Sequence, residues 1–333
     1  MISQNGRFNW LAISNVIASE PRMNRSTFTD SEELSHRLRH TNVTAMQTNA
    51  GAFSARLTTY CVDGWSIQHV EMLAGASICF GASPADRHAF VVPRTSSPGF
   101  RLLGSSVDAM SFAAYTPGSE HADVTAAGVR LSVVVPPNGF IRDLSLDQMT
   151  LPRSGSHHFR LPPRQMAMLR AALDDLDDAV MQFDGRFPKH VNEQSLSRDL
   201  CAALEAGIRQ LEPDEKRGRP ALPRPSILKE LRQRLEEDWT EPLMISEIAS
   251  GLNVSEPTLR RIFIDWFDMP PARFLLLRRY YLVRRMLQSK ACRSVSEAAH
   301  SFGFWNLSRF AAAYRSLFGE PPSLTLKKAL SRA

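Results

Sequence analysis

The chain has 333 residues, is 43% apolar and carries a net charge of +6, which allows two domains of ordinary size, each with its own core. The charge is uneven: residues 226–333 hold 17 Lys+Arg against 11 Asp+Glu, whereas residues 1–225 hold 23 of each. Such a bias points to a polyanionic partner, most often nucleic acid, with ordinary solubility as the alternative, and the lack of any run near eighteen apolar residues argues against a membrane span.

The first fifty residues read as irregular or partly helical, with a short helix expected over 31–42 behind Asp30 or Ser31. The N-terminus lacks a positive region followed by a long apolar run, so no signal peptide is expected. From 52 to about 142, short apolar or alternating runs recur (AFSARLTTY, WSIQHVEML, ASICF, HAFVV, FRLL, DAMSFAAYT, VRLSVVV), punctuated by Gly, Pro, Ser and Asp. Strands at this spacing predict a sandwich or small barrel.

Residues 162–183 then turn helical. Met166, Leu169, Leu173, Leu176, Val180 and Phe183 recur at alternating spacings of three and four, a heptad seam. A second helix carries Leu196, Leu200, Leu204, Ile208 and Leu211 on one face. The hairpin suits either an intramolecular core or a homodimer; the six seam residues are the dimerisation candidates. LEPDEKRGRPALPRP at 211–225, with four prolines, reads as a linker.

Beyond it the pattern is helical and repeats once. In the first unit Ile245, Ile248 and Ala249 face a core, Gly251 is expected to supply a positive φ at the turn, and Leu252 and Val254 plug it. Ser255 caps the next helix and Pro257 fits its first turn. Leu259, Ile262, Phe263 and Phe267 would face inward, leaving Thr258, Arg260, Arg261 and Asp265 outside. In the second unit Ser294 or Ser296 caps a helix bearing Ala298 and Ala299, and Phe302-Gly303-Phe304 turns. Asn306 or Ser308 opens a helix with Phe310, Ala313, Tyr314 and Leu317 inward, and Gly319 stops it. PARFLLLRRYYLVRRML joins the units as one rigid helix, able to hold two recognition helices about one DNA turn apart, roughly 34 Å.

Ala299, Gly303-Phe304, Phe310, Tyr314-Arg315, Phe318-Gly319 and Pro322 together resemble the signature of the AraC/XylS family of transcription regulators, over about 226–328. The resemblance implies a sequence-specific regulator, with activator favoured over repressor. It places DNA contacts at Ser255, Pro257, Thr258, Arg260 and Arg261 in the first reader and at Asn306, Ser308, Arg309, Ala312 and Arg315 in the second. Arg279 in the joining helix falls where the family carries Arg, as a phosphate contact. Ala312 departs from the polar or basic residue often found there, and Asp268 stands where many members have Gly. Arg284 and Arg285 are expected to be solvated or paired, and Trp239, Trp266 and Trp305 to be packing residues.

The N-terminal region resembles, more weakly, the cupin-like sensor and dimerisation domain of such regulators. The expected organisation is α+β: a cupin-like β-barrel or sandwich over 1–160, the hairpin over 161–211, the linker over 212–225, and an all-α double helix-turn-helix domain over 226–328. Implied partners are double-stranded DNA, RNA polymerase, an unknown small-molecule effector and a second copy of the chain, with no membrane. A ligand-independent DNA- or partner-binding protein is one alternative and a cupin-type enzyme fused to a DNA anchor another.

No catalytic set is expected. His69 and Glu71 share a strand face without the fuller His/Glu set of a metal cupin, so neither metal nor cofactor is expected. His157-His158 reads as solvated loop and Asp174, Asp175, Asp177 and Asp178 as a solvated helix face. No Ser-His-Asp, P-loop or Gly-rich dinucleotide pattern is visible. Cys61, Cys79, Cys201 and Cys292 lack metal spacing and read as reduced thiols of a cytoplasmic protein.

Overall fold

A computed structural model describes residues 23–39, 41–95, 97–143, 155–182, 193–213, 225–237 and 244–331. In chain order the sheet-rich part comprises β1 (Asn24–Phe28), α1 (Ser31–Arg37), β2 (Asn42–Gln47), β3 (Ser54–Val62), β4 (Trp65–Ala74), β5 (Ser77–Ala82), β6 (Ala89–Pro93), β7 (Arg101–Leu102), β8 (Ser105–Ser106), β9 (Ser111–Tyr115), β10 (Glu120–Thr125), β11 (Arg130–Val135), α2 (Phe140–Asp143) and β12 (Ser156–Arg160). The helical hairpin is α3 (Pro163–Gln182) and α4 (Glu193–Ile208), followed by β13 (Glu212–Pro213). The helical part comprises α5 (Pro225–Glu237), α6 (Ile245–Gly251), α7 (Glu256–Phe267), α8 (Pro271–Gln288), α9 (Val295–Ser301), α10 (Leu307–Phe318) and α11 (Pro322–Ser331). The expected α+β architecture is the one observed.

Among the described residues two antiparallel sheets form, ordered β1-β3-β4-β11-β6-β9-β12-β13 and β2-β5-β10-β7-β8. Strands β6 and β9 are buried along their whole length, which explains why AFVVP and SFAAY read as continuous apolar runs. Their alternate residues serve different cores. Ala89, Val91, Ala113 and Tyr115 point between the sheets, while Phe90, Val92, Phe112 and Ala114 point outward onto α3 and α4. The hairpin is thus the cover of the larger sheet.

That covering corrects the dimerisation assignment. Met166, Leu169, Leu173, Leu176 and Val180 are each at most 1% exposed, spent on the chain's own sheet and on Leu200, Leu204 and Ile208 of α4. The heptad spacing identified a buried face correctly, but its five described residues are not available to a second subunit. Phe183, Trp239, residues 1–22 and residues 214–224 of the expected linker lie outside the described residues. Glu212 and Pro213, the first residues of that linker, instead pair with β12 at the sheet edge.

Polar side chains tie the hairpin to the sheet. His69 Nδ1 lies 2.8 Å from Ser132 Oγ, and His69 Nε2 lies 2.5 Å from Asp177 of α3. Tyr60 donates to the same carboxylate at 2.5 Å, and Arg94 pairs with Asp174 and Asp177. Burial pushes the Asp177 carboxyl up, but His69, Tyr60 and Arg94 together hold it below the usual aspartate value. Asp177 is therefore a half-buried, ion-paired residue, whereas Asp174, though paired with Arg94, stands exposed with Asp175 and Asp178 as expected. The fold lines up a serine, a histidine and an aspartate that lie far apart in sequence. Ser132 is completely buried and bonds to Nδ1, whereas a hydrolase serine uses Nε2, so the line ties secondary structure together and offers no open nucleophile. His157 and His158 are on β12, half-buried, not in a loop.

Candidate nucleic-acid interface

In the first helical unit, α6 and α7 cross where Ala249 has only a methyl group to accommodate. The Val254 N–H donates to Ala249 O at 3.0 Å to close the turn. The positive φ falls on Asn253 (52°), not on Gly251. Asparagine tolerates this conformation because its short amide can bond locally. Gly251 instead leaves room for the Arg234 guanidinium of α5, which would lie within 2.3 Å of a Cβ there and would have to swing aside for a larger residue. Ser255 Oγ accepts from the Thr258 N–H at 3.3 Å and Pro257 sits in the first turn of α7. Leu259, Ile262, Phe263, Trp266 and Phe267 are buried. Ser255, Pro257, Arg260 and Arg261 are exposed, and Thr258 half so.

The second unit repeats this geometry. Ser294 caps α9 by accepting from Glu297 N at 3.1 Å, Ala298 and Ala299 are fully buried, and Gly303 takes φ 75° at the turn. Asn306 Oδ1 accepts from the Arg309 N–H at 2.9 Å, which makes Asn306 the cap of α10. Phe310, Tyr314 and Leu317 are buried, and Gly319 ends the helix at φ 73°. Asn306, Ser308, Arg309, Ala312 and Arg315 are all exposed.

Between them α8 runs for 18 residues, about 27 Å at the α-helical rise. Phe274, Leu282, Val283 and Leu287 bury its core side. Arg278 is 5% exposed and donates to Leu235 O from Nε (3.1 Å) and Nη2 (2.7 Å), fixing α5 to α8. Arg279 is half-buried, its guanidinium 5.1 Å from the centroid of Phe304. Of the tryptophans expected to pack, Trp266 does so at 4% exposure, whereas Trp305 is 76% exposed and does not.

Sequence reasoning missed the seam between the sheets and the readers. Phe80 of β5 packs against Phe267 and Phe274, with centroids at 5.9 and 5.6 Å. Arg101 pairs at 2.8 Å with Asp268. This accounts for the departure from Gly at 268: Asp268 adopts the left-handed φ of 55° and gains an ion pair that glycine could not make. Tyr281 Oη lies 2.8 Å from Ser31 Oγ and accepts from Gln47 N at 2.6 Å. Arg284 pairs with Asp30 and Arg285 with Glu32, so both arginines are paired. Burial raises the Glu32 carboxyl above its ordinary value, partly offset by Arg285. Arg232 of α5 pairs with Glu120 at 2.6 Å, and Gly51 N donates to Ser316 O at 2.9 Å. The contacts reach both units yet leave the exposed sides of α7 and α10 uncovered. Buried charges in α1, a short helix with two acidic residues, were the available signal, but their partners lie some 250 positions away.

Two capped helices, each exposing arginines and anchored to one connecting helix, define a tandem helix-turn-helix module, the class of fold that places a helix in the DNA major groove. The family profile described as "Helix-turn-helix domain" matches residues 248–328. The HTH-type transcriptional regulator GbdR of Pseudomonas aeruginosa is 33% identical over 95 residues, 28% of this chain and 26% of the relative. The XylDLEGF operon transcriptional activator of Pseudomonas putida is 32% identical over 98 residues, 29% and 30% of the two chains. A solved structure from Rhodopseudomonas palustris CGA009, described as a probable AraC family transcriptional regulator, is 30% identical over 31% of this chain and 97% of that one, with a TM-score of 0.29. Over residues 248–328 the C-terminal helices are a helix-turn-helix domain similar to those of these transcription regulators. The chain spans about a quarter to three tenths of the length of these curated relatives.

Proposed function

We propose that the chain is a sequence-specific DNA-binding transcription regulator whose sheet-rich region governs the two readers. The observation that supports this best is the pairing of α7 and α10: each is buried on one side, capped at its start and exposed on the other, where Arg260, Arg261, Arg309 and Arg315 stand. Arginine grips guanine O6 and N7 or holds phosphate. Ser255, Pro257 and Thr258 in the first reader and Asn306, Ser308 and Ala312 in the second complete the contact set, and Arg279 serves phosphate. Phosphate contacts supply affinity and the two helices supply sequence choice. The likeness to the XylDLEGF operon transcriptional activator supports an activator; engagement of RNA polymerase and a cytoplasmic location are part of the same proposal. No helix among the described residues is long and apolar enough to cross a membrane. A homodimer would use a surface other than the closed α3 seam.

A small-molecule effector would act by shifting the population of reader arrangements. Two clefts border the seam between the sheets and the readers. One, of about 400 Å³, is lined by Ser97–Arg101, Ser106, Val107 and Asp268. The other, of about 250 Å³, includes Asp30, Gln47, Tyr281, Arg284 and Glu320. The ligand-independent alternative draws support from the tightly filled space between the sheets, where Leu57, Met72, Ile78, Phe100 and Leu102 are at most 4% exposed.

Selection from a randomised duplex pool with the purified full chain tests the proposal. Enrichment of two short motifs about 10 base pairs apart is expected. A folded protein that enriches nothing, either whole or as residues 222–333, refutes it. A library of small molecules that never shifts thermal stability or DNA affinity would favour the ligand-independent alternative.

A further inference from the structure

The two units differ by one residue at the place where each recognition helix begins. In the first, Val254 closes the turn by donating to Ala249 O, and the next residue, Ser255, is the cap whose carbonyl accepts from Leu259 N. In the second, Phe304 closes the turn on Ala299 O, but the cap is Asn306, whose carbonyl accepts from Phe310 N. The surplus residue between them is Trp305.

An extra residue in a surface turn needs only to be small or polar. Here it is the largest side chain available, and it is 76% exposed. An apolar residue just before a cap ordinarily folds back onto the fourth helical residue as a hydrophobic staple. That residue is Phe310, whose ring neighbours are Tyr280, Phe304 and Tyr314. Trp305 instead stacks on His300, itself exposed, with ring centroids 5.2 Å apart and planes 26° apart. The stack holds an aromatic plate in solvent beside the start of α10.

The exposed side of α10 continues in the same character. Ser308, Ala312 and Arg315, spaced by four and three, share one helix face, and Trp305 precedes Ser308 by three residues. The first reader presents Ser255, Thr258, Arg260 and Arg261, which hydrogen-bond, with Pro257 in its first turn as its one apolar member. The second presents an aromatic plate and a methyl group at two of its positions. Apolar side chains in the major groove recognise the C5-methyl of thymine.

We propose that Trp305, steadied by His300, is a specificity-determining DNA contact, and that the second reader selects thymine by apolar contact while the first selects by hydrogen bonding. This rests on the DNA-binding function proposed above, which also makes duplex DNA the occupant of this surface.

The test uses the full chain and its selected duplex, with each thymine of the second half-site replaced in turn by deoxyuridine. At least one replacement is expected to weaken wild-type binding about four-fold, the worth of one buried methyl group. Trp305→Ala should weaken binding to the thymine duplex and no longer distinguish it from the deoxyuridine duplex, whereas Trp305→Phe should retain part of the discrimination. Because Trp305 is exposed, both variants should melt like wild type. Wild-type affinity for Trp305→Ala, or an unchanged deoxyuridine response, overturns the proposal. So does unchanged DNA binding combined with lost transcription by RNA polymerase, which would assign the plate to a protein partner. Arg309→Ala separates the two levels. If it loses selective binding while Trp305→Ala does not, this inference fails alone; if wild type shows no sequence selection, the DNA-binding reading fails and takes this one with it.

Discussion

Replacing Asp30 by Asn tests how firmly the sheet region holds α8. One oxygen of Asp30 caps α1, accepting from Glu32 N at 2.8 Å and Glu33 N at 3.4 Å, and the other receives Arg284. Asparagine keeps the cap through its carbonyl oxygen but places an amide against the guanidinium. Arg284 is then left with 11% side-chain exposure and no carboxylate at that position, held mainly by the Phe318 ring 4.4 Å away. Breaking one partner of a buried pair costs about 3–5 kcal/mol. The cleft that Asp30 and Arg284 border admits water, which brings the cost to about 2–3 kcal/mol. In a domain of 150–250 residues that corresponds to a fall in melting midpoint of about 4–12 °C. Asp30→Ala should cost about 1 kcal/mol more, for the lost cap. Asp30→Asn with Arg284→Met should recover most of the loss, since an apolar pair can replace a buried ionic one at little cost. Thermal and urea unfolding of the three variants measure this. A change below about 0.5 kcal/mol for Asp30→Asn, the size of an ordinary surface substitution, would refute the claim that this pair fixes the seam.

Arg309→Ala should weaken binding to the selected site by about 1–3 kcal/mol while leaving a scrambled duplex nearly unaffected, if the guanidinium grips a base; equal losses on both duplexes in a titration would make it a phosphate contact. Asp268→Gly removes a left-handed non-glycine residue, worth about 1–2 kcal/mol, and loses an exposed ion pair worth about 0.2–1 kcal/mol. The midpoint should hold or rise slightly, and protease cleavage near the seam should increase; a fall in midpoint would show the Arg101 pair to be the larger effect. Asp177 has its pKa depressed in the folded state, so its contribution is present above the unfolded aspartate value and disappears as pH falls through the folded one. The stability gap between wild type and Asp177→Asn should therefore be full near neutrality and close in strong acid. A gap unchanged with pH would contradict the ion-pair account.

The readers were legible in the sequence because what makes them is local. Ser255, Ser294 and Asn306 cap helices within three residues of themselves, Ala249 and Ala299 permit a close crossing, and Gly319 stops α10 at a positive φ. Gly251 and Asn253 show the limit even there. Glycine is permitted a positive φ but not obliged to take it, and the Arg234 guanidinium that lies over Gly251 arrives from another helix. Likewise the spacing of Met166 to Val180 specified a buried helix face, because periodicity reports burial, but it could not say whether a sheet or a second chain does the burying. Trp305 was misjudged as packing because size and hydrophobicity usually imply burial, and its exposure follows from a turn one residue longer than its counterpart.

The sequence by itself determined the helices, their caps, the two turn motifs and the basic C-terminal third, all set by interactions within a few residues or by composition. Only the tertiary structure decided that the hairpin closes on its own sheet, that Asp30 and Glu32 hold the connecting helix, and that Phe80 and Arg101 meet the end of the first reader. Those contacts join residues some 170 to 250 positions apart. At such separations no local propensity selects a partner; the choice falls to the buried charges and rings, which go unsatisfied unless the folded chain brings their complements to them.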